Sequence, residues 1–571
     1  MRRLENLRYP KKGATDLFIR TSILFLLLTG FAFAQSQTKE GTAIVSGRVT
    51  LKGEPASGVA VALQLQTRTG LPDMNKLRRT RTDADGRFSF SGVNAGQYLI
   101  TALAPGLIAP SDSPYEPQGK ALSVSDGETV ENLELQLKRG VVITGRITDA
   151  QGSPVVETTI KLTRQDSSGR FIGYTTSETA QYSRTDDLGA YRLFALLPGN
   201  YKVSVGEAPQ PGNLQVRGGR NYLPQTFYPG TPSEAQAKII EVSEGSEATN
   251  IDIKVGGTKD VFDVLGKVVD AETGQPVAGA KVGYGTPEPS GRLKASTLTD
   301  VIANAQGEFE FRGLMPGQYA AFISSSADRP SEFYSEATPF EVGESNLTGL
   351  EVKALRGIAI SGKAVLEGTD DPNNRAKLSQ LSVSVYSASR EAVPVGRTSK
   401  IALDGSFRIG GLKPGKVSLT TFPRLPGLAL SRIEHNGVPI KDFFDLQAGE
   451  NSTNVRLVFS SATGVLRGQV KFIGGAPPEN VLYKVMVGKV GGASAGRSGA
   501  DVDARGQFVI TDLATGEYEV EILLLLRSTP TPEVTRVMEL LRQFSQRVNV
   551  AASGETQTEL VIDLSQKEGD R

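Results

Sequence analysis

Five copies of one pattern constrain this chain more than anything else in it: a glycine, an aromatic residue two places on, and a second glycine ten places after the first. The pairs are Gly86 and Gly96, Gly189 and Gly199, Gly307 and Gly317, Gly405 and Gly415, and Gly506 and Gly516. The offset inside the pair never changes, whereas successive copies stand 98 to 118 residues apart. A fixed kernel inside a looser repeat predicts a tandem array of small domains.

The kernel reads as strand, reversal and strand. Asp83-Ala84-Asp85-Gly86 supplies a turn, because Asp bonds its own backbone and Gly accepts positive φ. Phe88-Ser89-Phe90 then alternates with period two, as do Tyr191 with Leu193, Phe309 with Phe311, Phe407 with Ile409 and Phe508 with Ile510. Ala95-Gly96, Pro198-Gly199, Pro316-Gly317, Pro414-Gly415 and Thr515-Gly516 reverse the chain, and a second alternating strand follows, as in Tyr98, Ile100 and Ala102. Upstream of each kernel runs an alternating segment with a glycine in it, as in Val45-Ser46-Gly47-Arg48-Val49 and Ile143-Thr144-Gly145-Arg146-Ile147. Each repeat closes on a strand like Leu133–Leu137, giving roughly seven strands per repeat, the number of an antiparallel sandwich.

These residues resemble the carboxypeptidase regulatory-like domains, with their transthyretin-like or prealbumin-like fold and their relatives among the B-type repeats of bacterial adhesins. The resemblance rests on Gly145-Arg146-Ile147-Thr148-Asp149 followed by Gly152-Ser153-Pro154-Val155, and on Thr185-Asp186-Asp187-Leu188-Gly189-Ala190-Tyr191 leading to Leu197-Pro198-Gly199-Asn200-Tyr201. It covers nearly all of the chain after the first forty residues; Val417 and Thr515 depart from it in repeats four and five. The fold it implies is all-β: a tandem array of five prealbumin-like antiparallel β-sandwich domains. Their expected bounds are 42–138, 139–257, 258–355, 356–460 and 461–566. The family takes its name from an accessory domain, so the resemblance implies no peptidase activity. In the adhesin relatives a first-strand Lys joins a last-strand Asn or Asp. Arg48, Arg146 and Gln469 stand at three of the five analogous positions here and cannot react.

Residues 1–34 read as an export signal. Six basic residues from Arg2 to Arg20 precede the apolar run Ile23–Leu28, and Ala32-Phe33-Ala34 offers small residues for cleavage. The segment Ser22–Ala34 is 13 residues long, short of the roughly 20 that span a bilayer, so no membrane span is expected after cleavage. The chain has no cysteine, which excludes disulfides and a lipidated-Cys anchor. Its 63 basic and 62 acidic residues give a net charge of +1, no electrostatic footprint for nucleic acid. The expected location is exported: periplasmic, outer-surface or secreted.

Catalytic chemistry is not visible. The single histidine, His435, precedes Asn436-Gly437, a hairpin-turn dipeptide, and with no Cys or second His a multi-His zinc site cannot form. Calcium is suggested by Asp83-Ala84-Asp85-Gly86 and by Asp501-Val502-Asp503. The same stretch reads Asn304-Ala305-Gln306-Gly307 in repeat three, so turn geometry explains it better. No cofactor is expected.

Aromatic loops after the kernel either cap the open ends of the sandwiches, the reading favoured because most aromatic area is buried, or are the candidate ligand or partner surfaces: Tyr115, then Tyr222, Phe227 and Tyr228, then Phe333 and Tyr334. In repeat five, Val534, Val537, Met538 and Leu541 have helical spacing after Pro532, which predicts a short helix packed on the last sandwich. Junctions such as Lys138-Arg139-Gly140 are brief, so the domains should bend little, and five in line would reach on the order of 150 Å. The function these features favour is a non-catalytic exported scaffold or spacer mediating protein interaction or adhesion at the cell envelope. The second reading is a polysaccharide-binding protein using the aromatic loops, and the third is a carboxylate-dependent hydrolase.

Overall fold

The kernel glycines sit where the chain must pass closest to itself. A computed structural model describes residues 41–565 apart from 67–76, 110–118, 167–168, 176–181, 209–220, 289, 296–299, 369–371, 388–395, 479–480, 527–529 and 553. The export signal therefore lies outside the described residues. In four kernels the first turn residue caps the turn: Asp83 Oδ1 accepts from the Asp85 and Arg87 amides at 3.0 and 2.7 Å. Asp186, Asn304 and Asp503 do the same in repeats two, three and five. Gly86, Gly189, Gly307, Gly405 and Gly506 then take φ between +69° and +84°, each facing a carbonyl of the opening strand that a Cβ would approach to 2.5–2.6 Å.

The two kernel strands belong to different sheets. Arg87–Val93 pairs with the opening strand Ala43–Leu51, whereas Gly96–Leu103 pairs with Ala60–Leu65 and Lys120–Val124. The reversal is thus an arch across the sandwich, not a hairpin within one sheet. A tyrosine staples it: the hydroxyls of Tyr98, Tyr201, Tyr319 and Tyr518 donate to the carbonyls four residues upstream, at 2.5–2.9 Å. Repeat four, with Val417 at this position, lacks the staple.

The aromatic residue of the kernel finds its place over the glycine of the opening strand. Gly47 pairs with Phe88, Gly145 with Tyr191, Gly266 with Phe309, Gly362 with Phe407 and Gly468 with Phe508. A Cβ on any of these glycines would overlap both that side chain and a carbonyl of the closing strand. The ring covers the space that glycine leaves open.

Antiparallel pairing dominates, with one exception per repeat. Opening and closing strands run parallel, as in Ala43–Leu51 beside Thr129–Arg139 and Phe262–Asp270 beside Leu347–Arg356. The chain therefore enters a sandwich at one end and leaves at the other, which lets repeats follow head to tail. Between repeats four and five the closing and opening strands are one strand, Ser452–Ile473, of 22 residues. Five separate apolar clusters fill the sandwiches, each built around kernel residues such as Phe88 and Phe90 or Phe309 and Phe311.

The predicted helix is Pro532–Gln543. Thr531 caps it by accepting from the Val534 amide at 3.2 Å, and Val534, Val537 and Leu541 are buried. A second short helix, Pro372–Lys377, lies in repeat four, where the sequence pattern did not anticipate one. Among the described residues no helix is long and apolar enough to cross a membrane.

Candidate functional site

The aromatic loops fold back onto the junctions between repeats. Tyr115 lies outside the described residues. Asn221–Tyr222 forms a two-stranded sheet with Lys259–Asp260, the segment that leads into repeat three, and burial pushes the Tyr222 hydroxyl pKa up. Phe227 is buried at 6% exposure and has no free face, while half-buried Tyr228 packs on the repeat-two core with the Lys238 ammonium 5.9 Å from its ring centroid. Phe333–Tyr334 pairs with Leu355–Arg356, and the Arg356 guanidinium lies 5.2 Å from the Phe333 ring centroid. These rings brace junctions and cores before they present anything to solvent.

The junction between repeats three and four carries the most charge. Glu332 forms a two-pronged pair with Arg408, one prong at 2.8 Å, and Lys413–Glu336 and Lys400–Asp328 each close at 2.7 Å. Arg408 holds the Glu332 carboxyl below the usual carboxylate range, against an opposing effect of burial. Arg397 is 3% exposed and donates from Nη2 to the Phe333 carbonyl at 2.9 Å, while its Nη1 has no hydrogen-bond partner. Burial pushes the Arg397 pKa down to about 10, so the guanidinium is still charged at neutral pH. Beside it opens a cleft of about 170 Å³ lined by Tyr334, Ser335, Glu336, Lys413 and Lys416 among others. Of the candidate loop aromatics among the described residues, Tyr334 alone lines this cleft, beside the kernel residues Pro414, Gly415 and Val417. Tyr334 forms an aromatic wall, and of the two rim lysines Lys413 is paired with Glu336.

The first and last repeats are also in contact. Arg505 of repeat five reaches Glu128 and the Ser123 carbonyl of repeat one, and Asp503 accepts from the Ser123 amide. Five domains in an open line would hold these residues far apart. The extended reach expected from short linkers is therefore replaced by a closed arrangement, because the junctions turn the chain while the linkers merely restrict it.

No carboxylate cluster suited to a metal occurs: among the described residues no group of three or more His, Asp or Glu could hold an ion. Of the carboxylates that suggested calcium, Asp83 and Asp503 each spend an oxygen on two backbone amides, and Asp501 pairs with Lys484 at 3.3 Å. His435 sits at a strand end with its ring 5.1 Å from that of Phe444.

Residues 44–138 and 142–226 match the family model of the carboxypeptidase regulatory-like domain. The chain is thus a tandem β-sandwich protein whose first two repeats are similar to that domain. No curated protein matches it. Among solved structures it is similar to the Streptococcal ancillary pilin, at 15% identity over 55% of this chain and 99% of that one, TM-score 0.23. It is similar to the Bacillus anthracis TIE protein at 13% identity over 73% of each chain, TM-score 0.16. A minor pilin of Streptococcus agalactiae is 14% identical over 38% of this chain and 96% of its own, TM-score 0.20.

Proposed function

We propose that the protein is an exported, non-catalytic scaffold that mediates protein interaction at the cell envelope. The observation that carries this reading is the way the repeats are joined. A two-stranded sheet, a set of three ion pairs and a continuous strand bridge successive junctions, so the repeats are presented in a set arrangement. Such construction suits a molecule whose task is to place binding surfaces. The cleft between repeats three and four is the surface we assign to a protein partner, with Tyr334 and Lys416 as its contacts.

Affinity capture from the native envelope tests this, with wild-type protein beside a Tyr334→Ala, Lys416→Glu variant. A protein retained by the first and lost from the second is the expected result. A glycan-array signal in place of a protein partner would move the assignment to the polysaccharide reading, which the burial of Phe227 and the bracing role of Phe333 disfavour.

A further inference from the structure

Three positions distinguish the contact between repeats one and five from every equivalent surface in the chain. The first is the outward residue of the strand that pairs with the second kernel strand. By register these are Glu241, Glu341, Asp445 and Asn549 in repeats two to five, but Ser123 in repeat one. The second is the outward residue of the first kernel strand: Ser89, Arg192, Glu310 and Arg408 in repeats one to four, but Val509 in repeat five. The third precedes the kernel glycine and is Asp85, Leu188, Gln306 and Asp404, then Arg505. Arg505 meets Ser123 directly, and beside them the Val509 carbonyl accepts from Gln97 of repeat one at 3.4 Å.

Their contacts are complementary atom by atom. Asp503 Oδ1 caps its own turn, as in the other copies, which leaves Oδ2 to accept from the Ser123 amide at 3.1 Å. Arg505 Nη2 donates to the Ser123 carbonyl at 2.5 Å, and Nη1 donates to Glu128 at 2.8 Å. The Ser123 hydroxyl donates to the Gln507 carbonyl at 3.1 Å and accepts from Gln97 at 2.8 Å. Val509, although it points out of its own sandwich, is 2% exposed. Ser123 lies on Lys120–Val124, which ends its sheet, so repeat five's side chains satisfy the amide and carbonyl of a free sheet edge. An acid at position 123, as in repeats two to four, would face Asp503 and repel it.

We propose that the kernel turn of repeat five is a reversible latch for the edge strand of repeat one, moving the protein between a closed and an open array. Reversibility follows from what the contact is made of. Its polar groups all find water on opening, and Asp503 keeps Arg505 as a partner at 2.9 Å within its own repeat. Opening therefore strands no uncompensated charge, which is the usual cost of breaking a buried pair. Contacts between domains of one chain that are made largely of polar groups favour relative motion, while tethering supplies an effective concentration on the order of mM for closure. Added salt weakens the Arg505–Glu128 link and shifts the balance toward opening.

The chain has no native cysteine, so two introduced ones label it cleanly. Exposed Glu131 of repeat one and exposed Ala504 of repeat five, which flank the Glu128–Arg505 pair, are replaced by Cys in the full-length protein, and the distance between spin labels is measured. At low salt a short-distance population is expected. Arg505→Glu should reduce the closed-to-open ratio by about tenfold or more, since two charge-assisted bonds are lost. Adding Glu128→Arg to that variant should restore part of the short population. Ser123→Glu, made in the other repeat, should open the array independently. Circular dichroism and thermal unfolding confirm that each variant is folded. The latch is overturned if folded Arg505→Glu and Ser123→Glu proteins keep the wild-type distance. It is also overturned if the wild-type short distance vanishes on dilution, which would place the contact between two copies.

Discussion

At the scale of single residues, the turn that opens each kernel shows how one position serves two ends. In four of the five copies its first residue ties down two backbone amides, and in all five its glycine takes a left-handed conformation against a carbonyl of the opening strand. Gly189→Ala should therefore cost more than the roughly 1–2 kcal/mol of the backbone conformation alone, because its Cβ would lie 2.5 Å from the Ile147 carbonyl oxygen. Asp186→Ala should cost less, about 1 kcal/mol, since the amides it frees can reach water and repeat four already folds with Ala402 there. Hydrogen exchange of repeat-two amides, compared with those of repeat three in the same molecule, reads both effects. The turn itself was legible in the sequence, because glycine persists through all five copies while its acidic neighbours do not. What could have been seen and was not is Arg505, the one cation among five residues at its position.

At the scale of elements, alternation reveals which residues face a core and says nothing of strand direction. That is why the sandwich and its kernel were legible, whereas the parallel pairing of opening and closing strands and the crossing of the kernel between sheets were not. The helix of repeat five was legible because its apolar spacing and its Thr531-Pro532 start agree. Thr531→Ala should lower the stability of that element by about 0.5–2 kcal/mol, and Leu541→Ala, which empties a buried site, by about 2–5 kcal/mol. Local exchange of residues 534–541 and of the strand Gly516–Leu526 beneath them would show the second effect spreading and the first confined to the helix. The aromatic loops were read from sequence as caps of their own sandwiches or as outward surfaces, and their bracing of junctions was missed because burial by a neighbouring repeat leaves no periodic trace. At the junction they brace, Glu332 faces Arg408, Arg397 and Arg356, and its pKa is lowered in the folded state. A lowered carboxylate pKa adds stability above the ordinary carboxylate range and loses it as pH falls through the folded value. The junction between repeats three and four should thus loosen below about pH 4. The pair is half exposed and worth about 0.2–1 kcal/mol, so the change should appear as faster exchange around Phe333 and Arg408 without loss of either sandwich.

At the scale of the whole molecule, direction of travel and closure are two separate problems. Parallel opening and closing strands send the chain through each repeat from end to end, which by itself would build a line. The junctions decide whether the line bends, and they are built from side chains scattered over loops, so no single motif announces the result. The junction between repeats four and five is continuous strand, whose backbone pairs with Leu428–His435 in one sandwich and with Gln507–Ala514 in the other. A bend there would break hydrogen bonds in both. Inserting Gly-Gly-Ser between Ser461 and Ala462 should leave both cores intact while removing that coupling. Two consequences are expected together. Exchange at Val465–Ile473 should become independent of destabilising substitutions in repeat four. The labels at positions 131 and 504 should move to a broad, longer distribution, because Arg505 is no longer carried to Ser123. If the insertion leaves the label distance unchanged, the repeat-one contact holds the array closed by its own strength, and the continuous strand contributes nothing to closure.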